Sequence, residues 1–414
     1  MRRLVSLLFI LVLATPVWAR PVSEADVASR MRQLLALIHQ HALVDVSDSG
    51  LVAGAFDCLR QTVGREVTQP SRGGLEARLL ALTGDRLPWD RVEHLAVQGM
   101  LARLNDPWAA LLSPEAYAGL RQRTYASSHA GIGLIVFRQG EDGAMLACQP
   151  LPDTPAARAG VLGGDELVSI DAQSVQGLSE SEVRASLQAP SGSTLRLGLR
   201  RQDALLAVRV ECRAIDSDLV YSRLFELRGR RVAFIQVGTF AATTPDAVSR
   251  ALEELGAEAC LLDLRNNGGG QVSAAVRLSS LFLEPGQEIA SVHRRAGVER
   301  LRAAPTGLRF SGRVVVLINE NSASAAELVA GALREGAGAV LVGQKTFGKG
   351  AVQRILVLPD GSAFKLTTAH YRTPSGRSIE GRGLDPDLPV QTPPESVGGP
   401  ADEQLRVALE CATR

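Results

Sequence analysis

Apolar residues first recur at helical spacing. Val27, Met31, Leu34, Leu35 and Ile38 fall on one face of a 3.6-residue repeat. Further helices are expected over residues 51–63 and about 90–104. Asp106-Pro107 breaks the last of these. Ser113-Pro114-Glu115 opens another, with serine as cap and proline in the first turn. Residues 20–118 thus read as an N-terminal helical region.

The pattern changes at about residue 119. Short apolar runs at 131–137, 144–151, 167–170, 195–199 and 205–210 predict strands. A short helix at 155–160 and an amphipathic one at 179–187 interrupt them. Residues 119–213 therefore form a small β-rich module. From 214 to 395, strands at 232–237, 260–264, 314–318 and 340–342 alternate with helices at 244–255, 272–282 and 325–334. That alternation predicts a mixed or parallel sheet covered by helices. Residues 391–400 are rich in Pro, Gly and Ser and read as a linker. A final amphipathic helix is expected at 401–412, within a tail of residues 396–414. No internal repeat is evident.

Composition narrows the classes. Of 414 residues, 45% are hydrophobic and 21% charged, and the net charge is +1. A nucleic-acid partner would need a clustered basic excess, so none is expected. Arg2 and Arg3 precede an apolar run at residues 4–14, and Val17-Trp18-Ala19 fits a signal peptidase site. Residues 1–19 read as a cleaved signal peptide. The mature protein is expected to be exported, periplasmic or secreted, without a transmembrane helix. An uncleaved anchor is disfavoured, because the run falls short of the roughly 20 residues a bilayer needs. Cys58, Cys148, Cys212, Cys260 and Cys411 lack metal-ligand spacing and the six histidines do not cluster, so neither metal nor cofactor is expected. Their odd number leaves at least one unpaired in a monomer, and Cys260 reads as a buried strand thiol.

Lysine usage is more pointed. Of 45 basic residues only Lys345, Lys349 and Lys365 are lysine. Base composition explains an arginine-rich chain. It also makes each lysine a place where a group able to lose its proton could be needed.

Three segments could carry chemistry. Residues 319–327, Asn-Glu-Asn-Ser-Ala-Ser-Ala-Ala-Glu, follow a buried strand and lead into a helix. Such a turn exposes a nucleophile and aims backbone amides at its reaction centre. A plain capping serine explains the segment equally well. Residues 343–353 hold Lys349 between two glycines, where the backbone can turn sharply. A lysine buried enough to lose its charge can activate a serine. A phosphate loop is the competing reading, but no hydroxyl follows the lysine and the glycine spacing is wrong. Residues 262–270, Leu-Asp-Leu-Arg-Asn-Asn-Gly-Gly-Gly, end a strand in bare amides that could face an oxyanion or simply make a tight turn.

Together and in this order, the three segments resemble the C-terminal processing peptidases, or tail-specific proteases. The resemblance implies Ser324 as nucleophile, Lys349 as general base and Gln353 as the side chain orienting the lysine. The backbone amides of Ala325 and Gly269 would be the oxyanion donors. Residues 364–368, 371–379 and 383–387 resemble the same family. Upstream, Gly131, Ile132, Gly133 and Leu134 resemble the carboxylate-binding loop of a PDZ domain, and residues 155–161 and 164–171 resemble the rest of its signature. Such a domain adds a peptide to its sheet edge and holds the terminal carboxylate. Ile132, Leu134, Val183 and Leu187 would line the last side-chain pocket, though apolar residues there could equally be core.

The implied fold is multidomain α+β. A helical segment (20–118) precedes a PDZ domain (119–213), an α/β peptidase core of the ClpP/crotonase type (214–395) and the C-terminal tail (396–414). The resemblance covers about residues 95–390. Ala326 stands where many members have serine, and Asp106-Pro107-Trp108-Ala109-Ala110 departs from the usual His-Ser-type pair. Expected partners are protein or peptide substrates with exposed apolar C-termini, with room for an adaptor protein. The leading expectation is a serine endopeptidase working through an acyl-enzyme. Alternatives are a catalytically silent PDZ-based binding protein, a crotonase-like acyl-transfer enzyme and a Ser324–His370 pair. The signal peptide and PDZ-like module argue against an acyl-CoA substrate.

Overall fold

The computed structural model describes residues 24–414, apart from residues 44, 64–86, 126–127, 140–144, 152–153, 179–181, 184–185, 188, 217–219, 359–360, 394–395 and 399–400. The expected signal peptide lies outside the described residues. The chain divides into two compact units. One runs up to Gln40 and resumes at Val44–Pro107; the other holds His41–Leu43 and Trp108–Arg414.

The first unit contains α1 (Glu24–His41), α2 (Asp48–Val63) and α3 (Trp89–Ala102). Of the α1 face read from the sequence, Val27, Met31, Leu34 and Ile38 are all 2% exposed or less, and Leu35 is half-buried. Helices α2 and α3 meet at Gly54 and Gly99. A Cβ on Gly54 would lie 2.3 Å from the Gly99 carbonyl oxygen, so only glycine permits this approach.

The second unit begins with β1 (Ala110–Leu112), α4 (Pro114–Tyr125) and β2 (Ser128–Gly131). The β-rich module follows, with β3 (Leu134–Gln139), β4 (Met145–Pro150), α5 (Pro155–Arg158), β5 (Glu166–Ile170), β6 (Gln173–Ser174), β7 (Thr194–Arg201) and β8 (Ala204–Glu211). Its sheet runs β3-β4-β5-β7-β8, with β6 paired to β5. Strand β9 (Arg213–Asp216) returns to pair with β2 at the module's root.

The core then alternates as expected. Its elements are β10 (Val220–Leu227), β11 (Arg230–Val237), α6 (Thr244–Leu255), β12 (Ala259–Asp263), α7 (Val272–Ser280), β13 (Glu288–Arg294), β14 (Gly297–Arg302), β15 (Arg313–Ile318), α8 (Ala325–Ala337), β16 (Val340–Gly343), β17 (Ala351–Val357), β18 (Ala363–Arg372), β19 (Leu388–Pro389) and α9 (Glu403–Ala412). The main sheet has order β10-β11-β12-β15-β16-β19 and is parallel from β11 onward. Parallel strands buried on both faces read as unbroken apolar runs. Alternate residues supply the two faces: Ile235, Leu262 and Val316 pack under α6, α7 and α8, whereas Phe234, Leu261 and Val315 pack under α9. A second sheet, β1-β18-β13-β14 with β17 on β18, was not foreseen as a unit.

The C-terminal helix is docked, not loose. Leu405, Ala408, Cys411 and Ala412 enter the core beneath the sheet. Asp402 caps α9 by accepting from the Leu405 amide (3.0 Å) and also takes the buried guanidinium of Arg265 (2.9 Å). Arg265 meanwhile forks onto Asp263, its Nη2 at 2.7 Å, and gives Nη1 to Gln404 at 3.1 Å. The chain's end is thereby tied to the strand end that carries the triple glycine. Asp402→Asn would turn a donor toward the buried guanidinium. It is expected to cost about 2 kcal/mol, read as a lower urea midpoint with unchanged slope.

All five cysteines are free thiols. Cys260 is fully buried in β12, and burial pushes its thiol up to about 12. No helix among the described residues is long and apolar enough to cross a membrane.

Candidate active site

Strand β15 ends at Ile318, and the chain turns through residues 319–323 before α8. A network of amides holds this turn. Ser322 Oγ donates to the Leu264 carbonyl (2.8 Å) and accepts from the Asn319 amide (2.9 Å). Asn319 and Asn266 exchange two bonds, side chain to side chain (2.7 Å) and backbone to side chain (2.9 Å). The Ala323 amide donates to the Asn267 carbonyl (2.9 Å). The β12 and β15 strand ends are therefore one assembly. Ser324 sits at its apex with φ +58° and ψ −116°, a backbone that side-chain-bearing residues rarely adopt.

Of the two expected oxyanion donors, Ala325 has an amide with no acceptor among the described residues. Gly269 differs from the expectation. Its amide donates to Asn267 Oδ1 at 2.8 Å, because Asn267 is itself fixed by its Nδ2 bond to the Val237 carbonyl (2.7 Å). What Gly269 supplies here is space. At φ +101°, a Cβ on it would lie 2.8 Å from Ser324 Cβ and 3.1 Å from the Ala325 nitrogen. A side chain would fill the volume in front of the free amide.

The loop after β16 brings Lys349 beside this apex. Glu327, on the first turn of α8 and fully buried, joins the two. Its Oε2 accepts from the amides of Ser324 (2.9 Å) and Lys349 (2.8 Å). Its Oε1 accepts from Thr346 Oγ1 (2.5 Å) and the Gly348 amide (2.8 Å). Burial pushes this carboxyl up, and the four donors oppose the rise.

The Lys349 amine lies 4.6 Å from the centroid of the Trp108 ring. Among the described residues no hydrogen bond joins it to Ser324 Oγ or to Gln353. The Gln353 side chain donates to the Trp108 carbonyl (2.9 Å), so it fixes the residue on which the lysine rests. The indole N–H of Trp108 donates to Glu380 Oε1 (3.0 Å), and Phe347 flanks the indole with ring centroids 6.1 Å apart. Burial lowers the Lys349 pKa and Lys365 lowers it further, while Glu380 raises it. His370 lies in β18 opposite Ala351 and His293, with no hydrogen bond to Ser324 among the described residues.

In the β-rich module, Gly133 turns at φ +69°, where a Cβ would lie 2.3 Å from Thr154. The Ile132 carbonyl accepts from the Ala156 amide (2.8 Å), and the Gly133 carbonyl from Leu151 (2.9 Å). Gly131 ends β2, opposite Arg213. Ile132, Val183 and Leu187 are buried in the module's core, and Leu134 is half-buried against it. The Leu187 amide donates to the Val183 carbonyl, one helical turn. Among the described residues β3 pairs only with β4, so its other edge can take a strand.

Residues 231–390 match the model of peptidase family S41, and residues 147–201 match that of a PDZ domain. A carboxyl-terminal-processing protease of Picosynechococcus is 34% identical over 327 residues, 77% of this chain and 78% of that protein. The chain belongs to the carboxyl-terminal processing proteases of family S41. The carboxy-terminal processing protease CtpA of Bacillus subtilis is 32% identical over 308 residues, 73% of this chain and 65% of that one. Among solved structures, a photosystem II D1 C-terminal processing protease superposes with a TM-score of 0.61 at 26% identity, covering 91% of this chain and 96% of that one.

This processing protease is a serine-type peptidase with a PDZ domain, as the sequence led us to expect. Three residues around its candidate site had no assigned role in that reading. Glu327 carried a signal, since Ser324-x-x-Glu327 has the form of a capping box. Trp108 and Glu380 carried none, because their bond spans 272 residues of sequence.

Proposed function

We propose that this chain is an endopeptidase that takes the C-terminus of an unfolded or tail-exposed protein on its PDZ domain and cuts with a Ser324–Lys349 dyad. The observation that carries the reading is Glu327, one carboxylate gripping the backbone amides of both Ser324 and Lys349. Neutral Lys349 takes the proton of Ser324 Oγ as that oxygen attacks the peptide carbonyl. The Ala325 amide faces the developing oxyanion. Collapse breaks the peptide C–N bond, and Lys349 returns the proton to the leaving amine. Water then adds to the acyl ester as Lys349 takes one of its protons; the C–Oγ bond breaks as Lys349 returns that proton to Ser324 Oγ, and the released acid ionises to the carboxylate. Gln353 acts through Trp108. An apolar tail adds to the free edge of β3, with its carboxylate at the loop of Gly131, Ile132, Gly133 and Leu134. Leu134, half-buried at that loop, flanks its last side chain, while Val183 and Leu187 back the site from the core. The basic start and apolar run at residues 2–14 favour export to the periplasm or beyond.

The test uses dye-labelled unfolded substrates with an apolar C-terminus, free or amidated. Wild type is expected to cut, Ser324→Ala and Lys349→Ala to be inactive, and amidation to slow cutting by about tenfold, the loss of one charge-assisted carboxylate contact. Tail binding without cutting by wild type would make the chain a binding protein. Equal rates on free and amidated tails would remove the carboxylate from the reading.

A further inference from the structure

A general base must be neutral when it takes a proton, and burial and Lys365 push Lys349 that way, yet its amine rests against a group that attracts a cation. Its amine lies over the Trp108 ring face, which attracts a cation. The same indole is held by Glu380, and the second oxygen of that carboxylate, Oε2, is buried without a hydrogen-bond partner. A buried carboxylate oxygen without a partner is an acceptor awaiting a donor, and the charge of Glu380 favours the ammonium form of Lys349. Nor does a hydrogen bond join the amine to Ser324 among the described residues.

Resting on the dyad reading above, we propose that Trp108 and Glu380 are positioning residues that park the protonated amine of Lys349, from which it swings to Ser324 as it loses its proton. The parked amine has the ring on one side, and the Glu380 carboxylate that holds that ring favours its charge. Against these stand burial and the Lys365 ammonium on β18. Glu327 contacts Lys349 only through the backbone amide, so the anchor of the loop stays fixed while the side chain moves. At the serine the amine leaves both stabilising partners, while burial and Lys365 still oppose its charge. Deprotonation and arrival are thereby coupled. The Gln353 bond to the Trp108 carbonyl holds the parking site in place and survives any change of the Trp108 side chain.

The sign of the test follows. Removing the ring or the carboxylate destabilises the parked ammonium, so the free enzyme deprotonates at lower pH. The acidic limb of kcat/KM is expected to move down by about half to one pH unit in Glu380→Gln and in Trp108→Leu. That is about 3- to 10-fold more activity well below the limb. Trp108→Phe keeps a ring face and loses the N–H, so its shift is expected to be smaller. Glu380→Gln keeps an acceptor for the indole and decides the matter should Trp108→Leu fail to fold. Acidic limbs coincident with wild type, beside inactive Ser324→Ala and Lys349→Ala, would overturn the parking site alone. Wild-type cutting by either dyad variant would overturn the dyad reading, and this inference with it.

Discussion

Ser324→Gly is expected to abolish cleavage and raise stability at the same time. With Ser324 as the proposed nucleophile, the activity loss is expected to be roughly 10⁴-fold or more. The stability gain comes from the backbone. At φ +58° and ψ −116° a side chain is strained, and glycine is not. Strain of this kind costs on the order of 1–3 kcal/mol, and glycine returns part of the relief as extra freedom in the unfolded chain. A net gain of about 1 kcal/mol is expected, seen as a higher midpoint in urea. The bond from Glu327 to the residue-324 amide is to backbone and survives the change. Ser324→Ala separates the two effects: it removes the oxygen, keeps the Cβ and its strain, and should be inactive with no such gain. Equal stability of the glycine and alanine variants would mean that the turn stores no strain.

How much of this was legible depended on distance along the chain. The buried runs of β11, β12, β15 and β16 announced a parallel sheet, because strands covered on both faces cannot hide their apolar character. The antiparallel sheet was harder to see. Strand β18 interleaves Lys365, Thr367, Thr368 and His370 with its apolar residues, and β14 is almost entirely exposed. The Ser324 and Lys349 segments stood out because each is a local turn with its own composition. Gln353 lay in the same signature, but its partner is the carbonyl of Trp108, 245 residues away. The same limit hid the Arg265–Asp402 pair, which joins two segments that each look ordinary alone. Gly269 shows a different limit. Its glycine was legible, but the direction of its amide depends on how Asn267 is held.

Glu327→Gln should cost more stability than any other substitution of a single atom here. Each carboxylate oxygen takes two donors: Ser324 N and Lys349 N on one, Thr346 Oγ1 and Gly348 N on the other. An amide has one oxygen and one NH₂. Turned either way, it sets its NH₂ against a backbone N–H. Facing Oε2's pair, two amides lose their acceptor; facing Oε1's pair, the Thr346 hydroxyl can rotate to accept, but Gly348 N–H cannot. The group is fully buried, so water cannot substitute. One or two orphaned donors at roughly 1–3 kcal/mol each give a loss of about 3 kcal/mol. The effect on rate should be separable from that on folding. The carboxylate grips the backbone of both Ser324 and Lys349, the proposed nucleophile and base, and a misplacement of about 1 Å can cost on the order of 10²-fold in kcat. With the variant held well below its unfolding midpoint, kcat is expected to fall about 100-fold with KM little changed, because the PDZ groove is untouched. Glu327→Asp tests the same geometry differently: it keeps both oxygens on a shorter arm, so kcat should fall even with the charge intact. A Glu327→Gln enzyme with kcat within threefold of wild type would mean that Ser324 and Lys349 are aligned by something other than this carboxylate.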